Sequence, residues 1–228
     1  MMQFGIPCSA DAEFERWWRA DGEWVEAPNV RRGGNSGVQR VTDASGRCLY
    51  VKRQTGHLYR TVRHPFGRPT VLREATALQA LSALDIPVPV LDYCGARRDT
   101  GQWAAVLVTR ALDGHQSLDR WYAEPRDEAL RKTVLDELAR LLARMHRAHW
   151  QHGCLYAKHI FVRERPQAEL PNVALLDLEK ARLRLSASRA SKHDLAQLSR
   201  HRAPMPDQDW RTFLASYEAA HRKLGMRP

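Results

Sequence analysis

His152-Gly153-Cys154-Leu155-Tyr156-Ala157-Lys158-His159-Ile160-Phe161 is the stretch whose reading decides the fold. It begins where a long amphipathic helix stops. That helix is expected from about Arg126 to His149, with Leu130, Val134, Leu138, Leu141, Leu142 and Met145 on one apolar stripe. Downstream, Ile160–Val162 and Val173–Leu176 read as short strands around a proline-containing turn. The second strand runs into Leu175-Leu176-Asp177-Leu178-Glu179. A carboxylate just past a buried strand is placed to hold a metal ion at the rim of a cleft. Taken alone, Asp177 reads as a plain helix-cap or turn aspartate.

Working back toward the N-terminus, Trp103–Thr109 is nearly all apolar and reads as a buried strand, preceded by another at Val90–Tyr93. Pro69 and Thr70 open a helix to about Leu84, with Thr70 as its expected N-cap. In that helix Glu74 shares a face with Leu78 and Leu81. An unpaired carboxylate there is costly to bury, so a partner is expected, and Lys52 is the nearest candidate. The plain alternative is a surface glutamate at the stripe's edge. Lys52 ends a strand, Arg47–Lys52, on which Tyr50 and Lys52 face away from Leu49 and Val51. Asp43-Ala44-Ser45-Gly46 is a turn, and Arg31-Arg32-Gly33-Gly34-Asn35-Ser36-Gly37 is expected as a glycine-rich loop. Phe14, Trp17 and Trp18 suggest a short opening helix, and a last helix is expected from about Asp207 to Leu224.

Each of these elements is weak alone, but their order is informative. Glycine-rich segment, strand lysine, helix glutamate, apolar strand, long helix, histidine-led loop, strand and aspartate follow one another as in the protein-kinase signature set. The fold class expected is α+β: a two-lobed, protein-kinase-like fold. Within a single domain over residues 1–228, a small lobe of antiparallel sheet plus one helix would cover about 20–110, and a mainly helical lobe 111–228. Lys52, Glu74 and Asp177 should then converge on one crevice.

The segment Arg31–Val38, the HGCLYAKHIFV stretch and LLDLEKAR also resemble the bacterial lipopolysaccharide-core kinase family, which includes Kdo and heptose kinases, and within it the InaA-like branch. The resemblance covers about Gly33 to Arg200. It implies an ATP-dependent kinase that phosphorylates a sugar hydroxyl of lipopolysaccharide core, or a related small hydroxylated acceptor, with Mg²⁺. It further implies that Gly33, Gly34 and Gly37 lie over the phosphates, and that Lys52, steadied by Glu74, contacts the α and β phosphates. By the same resemblance Thr109, Arg110, Ala111 and Leu112 form the hinge beside adenine, Asp177 binds Mg²⁺, His159 takes the second metal-binding position, and Asp194 braces the catalytic loop. The location implied is cytoplasmic, with peripheral contact to an anionic inner-membrane surface.

One departure stands out. Position 154 is cysteine where the kinase pattern has the aspartate that orients the acceptor hydroxyl, and an ordinary thiol is a poor hydrogen-bond acceptor. Phosphoryl transfer passes through a loose transition state in which positioning and charge neutralisation dominate, so a missing base need not abolish it. Three readings stay open: a slow kinase with Cys154 at the acceptor, a kinase using His152 or His159 instead, and a nucleotide-binding pseudokinase without turnover. Leu178 and Glu179 also depart from the phenylalanine and glycine that usually follow the metal-binding aspartate.

The bulk properties narrow the partners. A formal net charge of +10 points to an anionic partner: nucleotide, phosphorylated glycolipid, membrane surface or nucleic acid. No specific nucleic-acid binding is expected, because no aromatic RNA-binding motif, zinc-finger spacing or helix-turn-helix is evident. Cys8, Cys48, Cys94 and Cys154 are scattered and fit reduced cytosolic thiols. No secretory signal or membrane-spanning run is expected. His146, His149 and His152 recur at zinc-like spacing near His159, but the first two fall on a helix committed to packing, and zinc is not expected.

Overall fold

The computed structural model describes residues 10–31, 34–62, 64–99, 101–164 and 170–225. It is an α+β chain whose main sheet is antiparallel. It divides into two compact units: one holds the residues up to Ala75 with Val90–Ala111, the other Thr76–Pro89 with the residues from Leu112 onward.

In the first unit, helix α1 (Ala10–Arg19) is followed by β1 (Glu23–Arg31), β2 (Gly34–Thr42), β3 (Cys48–Thr55), β4 (Leu58–Thr61) and β5 (His64–Pro69). Helix α2 (Thr70–Ser82) follows, the division between units falling after its Ala75, and β6 (Leu91–Asp99) and β7 (Gln102–Arg110) complete the sheet. The strand order is β1-β2-β3-β7-β6. Strand β7, inside the sheet between β3 and β6, is buried on both faces, which is why Ala104–Val108 is an unbroken apolar run. Alternation along β3 assigns its faces: Leu49 and Val51 join Val106 and Val108 against Phe14 and Trp17, while Lys52 and Gln54 point the other way.

Three local expectations are corrected. The glycine-rich segment is strand from Gly34 onward, and Arg32 and Gly33 lie outside the described residues. Glycine is needed at 34 for closeness rather than looseness: a Cβ there would sit 2.5 Å from the Thr55 carbonyl oxygen. Thr70 does not cap α2 with its own oxygen. Its hydroxyl donates to Gln54 Oε1 (2.8 Å), which also accepts from the Val71 N–H (3.3 Å), so the cap comes from β3. Finally, the β4–β5 ribbon occupies what the periodicity left without an element.

The second unit contains β8 (Gln116–Ser117), α3 (Leu118–Ala123), α4 (Glu128–Arg147), β9 (Trp150–Gln151), β10 (Ile160–Arg163), β11 (Asn172–Leu175), β12 (Arg182–Leu183), α5 (Ala187–Arg200) and α6 (Asp207–Gly225). Helix α4 starts at an Asp127 cap whose side chain accepts from the Leu130 N–H (2.8 Å). Its stripe of Val134, Leu135, Leu138, Leu141, Leu142 and Met145 is buried, and α6 packs along α4 with Phe213 and Tyr217 inward. Arg131 and Tyr122 both bond Asp209 at 2.9 Å, fastening the start of α6. β10 and β11 form an antiparallel hairpin that sets the ends of the histidine-led loop and of Asp177 side by side. Among the described residues no helix is long and apolar enough to cross a membrane.

Candidate active site

In the first unit, Lys52 lies at the middle of the sheet, opposite Val38 on β2 and Leu107 on β7. Its Nζ is 2.8 Å from Glu74 Oε2 on α2, and both side chains are largely buried. Cys94 lies close by, its thiol bonding the Val71 carbonyl at 3.9 Å. Burial, reinforced by the charge of Glu74, pushes the Cys94 thiol up to about 12, so it remains neutral beside the pair. At the end of β7, the N–H groups of Arg110 and Ala111 are taken by the carbonyls of Val90 and Cys48.

In the second unit, the histidine-led loop hangs on one buried carboxylate. Asp194, on α5, accepts from the backbone N–H groups of His152 (2.6 Å) and Gly153 (2.9 Å). His146 Nε2 and His193 Nδ1 reach it at 3.2 Å. Because Asp194 can only accept, His146 donates from Nε2, and its Nδ1 accepts from Tyr217 Oη at 2.8 Å. Burial raises the Asp194 carboxyl, but the hydrogen bonds from His146 and from the Gly153 N–H outweigh it and hold the group below the usual carboxylate range. Gly153 adopts φ +84°, and a Cβ there would meet the Lys180 carbonyl at 2.7 Å. Only glycine lets the loop lie against the 3₁₀ turn Leu178–Lys180.

His152 is fully buried. Its Nδ1 accepts from the Cys154 N–H (3.3 Å), which puts the ring proton on Nε2, where it donates to the Leu176 carbonyl (3.0 Å). Both nitrogens are therefore engaged in holding backbone. Burial also depresses the ring's proton affinity despite nearby Asp194. Cys154 is 6 % exposed. Its carbonyl accepts from His159 Nδ1 at 2.8 Å. In the neutral ring this leaves the Nε2 lone pair of His159 facing Asp177, whose Oδ2 is 3.5 Å away. Asp177 itself sits in the left-handed region (φ +61°) with its carboxylate 39 % exposed. A non-glycine residue held there costs about 1–3 kcal/mol, and such strain gathers at functional positions. The buried Leu178 anchors the turn that follows.

This donor set fits a divalent cation. One carboxylate oxygen and one imidazole nitrogen point together, and the histidine's other nitrogen is fixed by a backbone carbonyl, as in metal-ligating histidines. No cluster of three or more His, Cys, Asp or Glu ligands occurs among the described residues. Asp177 supplies the oxygen ligand that Mg²⁺ prefers, the remaining positions are left for water and phosphate oxygens, and the imidazole of His159 is the softer donor of the set.

A family model described as "Lipopolysaccharide kinase (Kdo/WaaP) family" matches residues 15–217. The chain belongs to that family. Among curated proteins, this Kdo/WaaP-family chain is 42 % identical over 211 residues to Protein InaA of Escherichia coli (strain K12), covering 91 % of this chain and 96 % of InaA. Among solved structures, WaaP in complex with acyl carrier protein aligns with a TM-score of 0.71 at 21 % identity, covering 94 % of this chain and 86 % of that one. At that identity the likeness establishes a shared fold.

Two features of the site escaped the sequence. His146 falls on the apolar stripe, four residues after Leu142, and a histidine there signals a buried partner; that partner, Asp194, is 48 positions away. The stack of Tyr156 on His159 (5.2 Å) and its close packing with His201 (4.2 Å) left no sequence signal at all.

Acid should loosen this loop. His152 has its proton affinity lowered in the fold, so protons bind better to the unfolded chain below its ordinary value of 6.5. The stability it contributes is complete above that value and is lost as pH falls toward the depressed one. Asp194 has the same sign and acts below 3.8. Thermal melts across this range should show the midpoint falling first below 6.5 and again below 3.8. A midpoint that rises on acidification would contradict the assignment.

Proposed function

We propose that the chain is an ATP- and Mg²⁺-dependent phosphotransferase acting on a sugar hydroxyl of lipopolysaccharide core or a related small hydroxylated acceptor, and that its two units are the lobes of a protein-kinase-like fold. The observation that carries the reading is the Lys52–Glu74 pair at 2.8 Å in a member of this kinase family. A buried ion pair adds little to stability, so its presence asks for another reason. Holding an ammonium in place for a polyanion supplies one. Lys52, steadied by Glu74, then contacts the α and β phosphates, and the segment with Gly34 and Gly37 lies over them. Thr109–Leu112 borders adenine; since the Arg110 and Ala111 N–H groups are already paired, their carbonyls and the neighbouring residues do the reading.

Asp177 and His159 hold Mg²⁺, which neutralises phosphate charge when bound. Asp194 and His152 position the loop; with both ring nitrogens on backbone, His152 takes no proton from the acceptor. Cys154 stands at the acceptor hydroxyl. The basic chain meets its acidic glycolipid at the cytosolic face of the inner membrane. Cys154 also supports a second reading, a pseudokinase that binds nucleotide and signals through that binding without turnover.

Nucleotide binding is tested by thermal shift with Mg·ATP. A ligand at 100 times its Kd stabilises the native state by about 2.7 kcal/mol, which should read as a rise of several degrees in wild type. The rise should vanish in Lys52→Ala and in Asp177→Ala. Equal shifts in all three proteins would remove both residues from the nucleotide site.

A further inference from the structure

Between β3 and α2 the chain makes a detour that the phosphoryl-transfer site does not use. Among the described residues β4 and β5 pair only with each other, with Leu58 opposite Pro69, Tyr59 opposite Arg68 and Thr61 opposite His64. A lone two-stranded ribbon is marginal in water, so side chains must hold it. Arg73 lies over the Tyr59 ring at 4.6 Å, Tyr59 meets His64 edge-on at 6.5 Å, and Leu58 packs against Gly67. The apolar residues at the far end have no such role. Val62, in the turn, is fully exposed, and Phe66 is 85 % exposed.

Single exposed apolar residues are common and need no explanation. Here the setting is what matters. From Gly56 to Arg73 the sequence contains no carboxylate, four arginines (Arg60, Arg63, Arg68 and Arg73) and two histidines (His57 and His64). Arg60 and Arg68 are exposed on the same ribbon as Phe66. An apolar tip among guanidinium groups matches a lipid interface, where apolar side chains enter the headgroup–acyl boundary and cations meet the phosphates. Val62 and Phe66 protrude, and at such exposure neither lines a recess. A fluid headgroup layer accepts protruding side chains without a complementary pocket, whereas a protein partner would have to supply one.

We propose that the β4–β5 ribbon docks this chain on an anionic bilayer surface, with Phe66 and Val62 inserted and Arg60 and Arg68 on lipid phosphates. This deepens the proposed function by naming the membrane-facing surface. Vesicle binding needs neither nucleotide nor turnover, so the two readings fail separately.

The test is co-sedimentation of the full chain with vesicles of phosphatidylcholine alone and of phosphatidylcholine mixed with phosphatidylglycerol. Retention is expected on the anionic vesicles only, weakening as salt is raised. Arg60→Gln/Arg68→Gln should lower the partition coefficient by about 25-fold, about fivefold for each arginine. Phe66→Ser should lower it on the order of tenfold. Both variants change exposed side chains, and unchanged melting would show that they fold. The proposal is overturned by absence of retention, by equal retention on neutral vesicles, or by folded variants that sediment as wild type does. It is also overturned if vesicles fail while an immobilised acidic protein captures the chain in a Phe66-dependent way, which would make the ribbon a protein-docking surface.

Discussion

Replacing Cys154 with aspartate is expected to raise acceptor-dependent ADP release by about 10²–10⁴-fold, the range of a general-base contribution. The backbone of residue 154 is held at both ends independently of its side chain: its N–H donates to His152 Nδ1 and its carbonyl accepts from His159 Nδ1. The substitution therefore changes the group presented to the acceptor without releasing the loop. The Tyr156 phenol is close enough to Cys154 to be influenced by it. Burial, and then the neighbouring thiol, push that phenol up, so it keeps its proton to donate. Steady-state ADP release with core oligosaccharide acceptors measures the effect. A fall in turnover would mean that the thiol belongs to the mechanism. Release that is undetectable in both proteins, with Mg·ATP binding intact, would favour the pseudokinase reading.

Asp194→Ala is expected to destabilise the chain by about 3–5 kcal/mol, the cost of stranding several buried donors at once. The substitution strands two buried backbone N–H groups, of His152 and Gly153, and removes the acceptor of His146. Each buried donor left unpaired costs about 1–3 kcal/mol. For a chain of this size the loss corresponds to a melting midpoint lower by roughly 10 °C. Asn at 194 offers a single acceptor oxygen and should fall between alanine and wild type. Amide hydrogen exchange at His152 and Gly153 separates loop release from general loosening: both amides should lose protection in the variant. Protected amides together with a midpoint within a degree of wild type would show that the loop is held by other contacts.

Much of the fold was legible because its elements carry their own periodicity. The α4 stripe, the β7 run and the alternation along β3 each reflect burial on a known face, and each was readable from spacing alone. The elements that went unread are those whose residues lack such a pattern. β4–β5 is short, largely exposed and without a regular alternation, α3 spans only Leu118–Ala123, and α5 was noticed for Asp194 rather than as a helix. The glycine-rich stretch misled in another way: composition suggests a loop, whereas close approach of strand backbones also demands glycine, as at Gly34.

The candidate site divides along the same line. Residue type and order alone marked Lys52, Glu74, Asp177 and the departure at Cys154, because a buried charge must announce its need for a partner and a missing carboxylate is visible as a letter. Which atoms meet was decided only by tertiary structure. That Asp194 gathers His146, His152, Gly153 and His193, that His152 is consumed by backbone, and that His159 turns Nε2 toward Asp177 all depend on hydrogen bonds between residues up to 48 positions apart. Hydrogen bonding is directional and short-ranged, so it is set by the final packing of helices and loops and leaves no periodic trace in the chain.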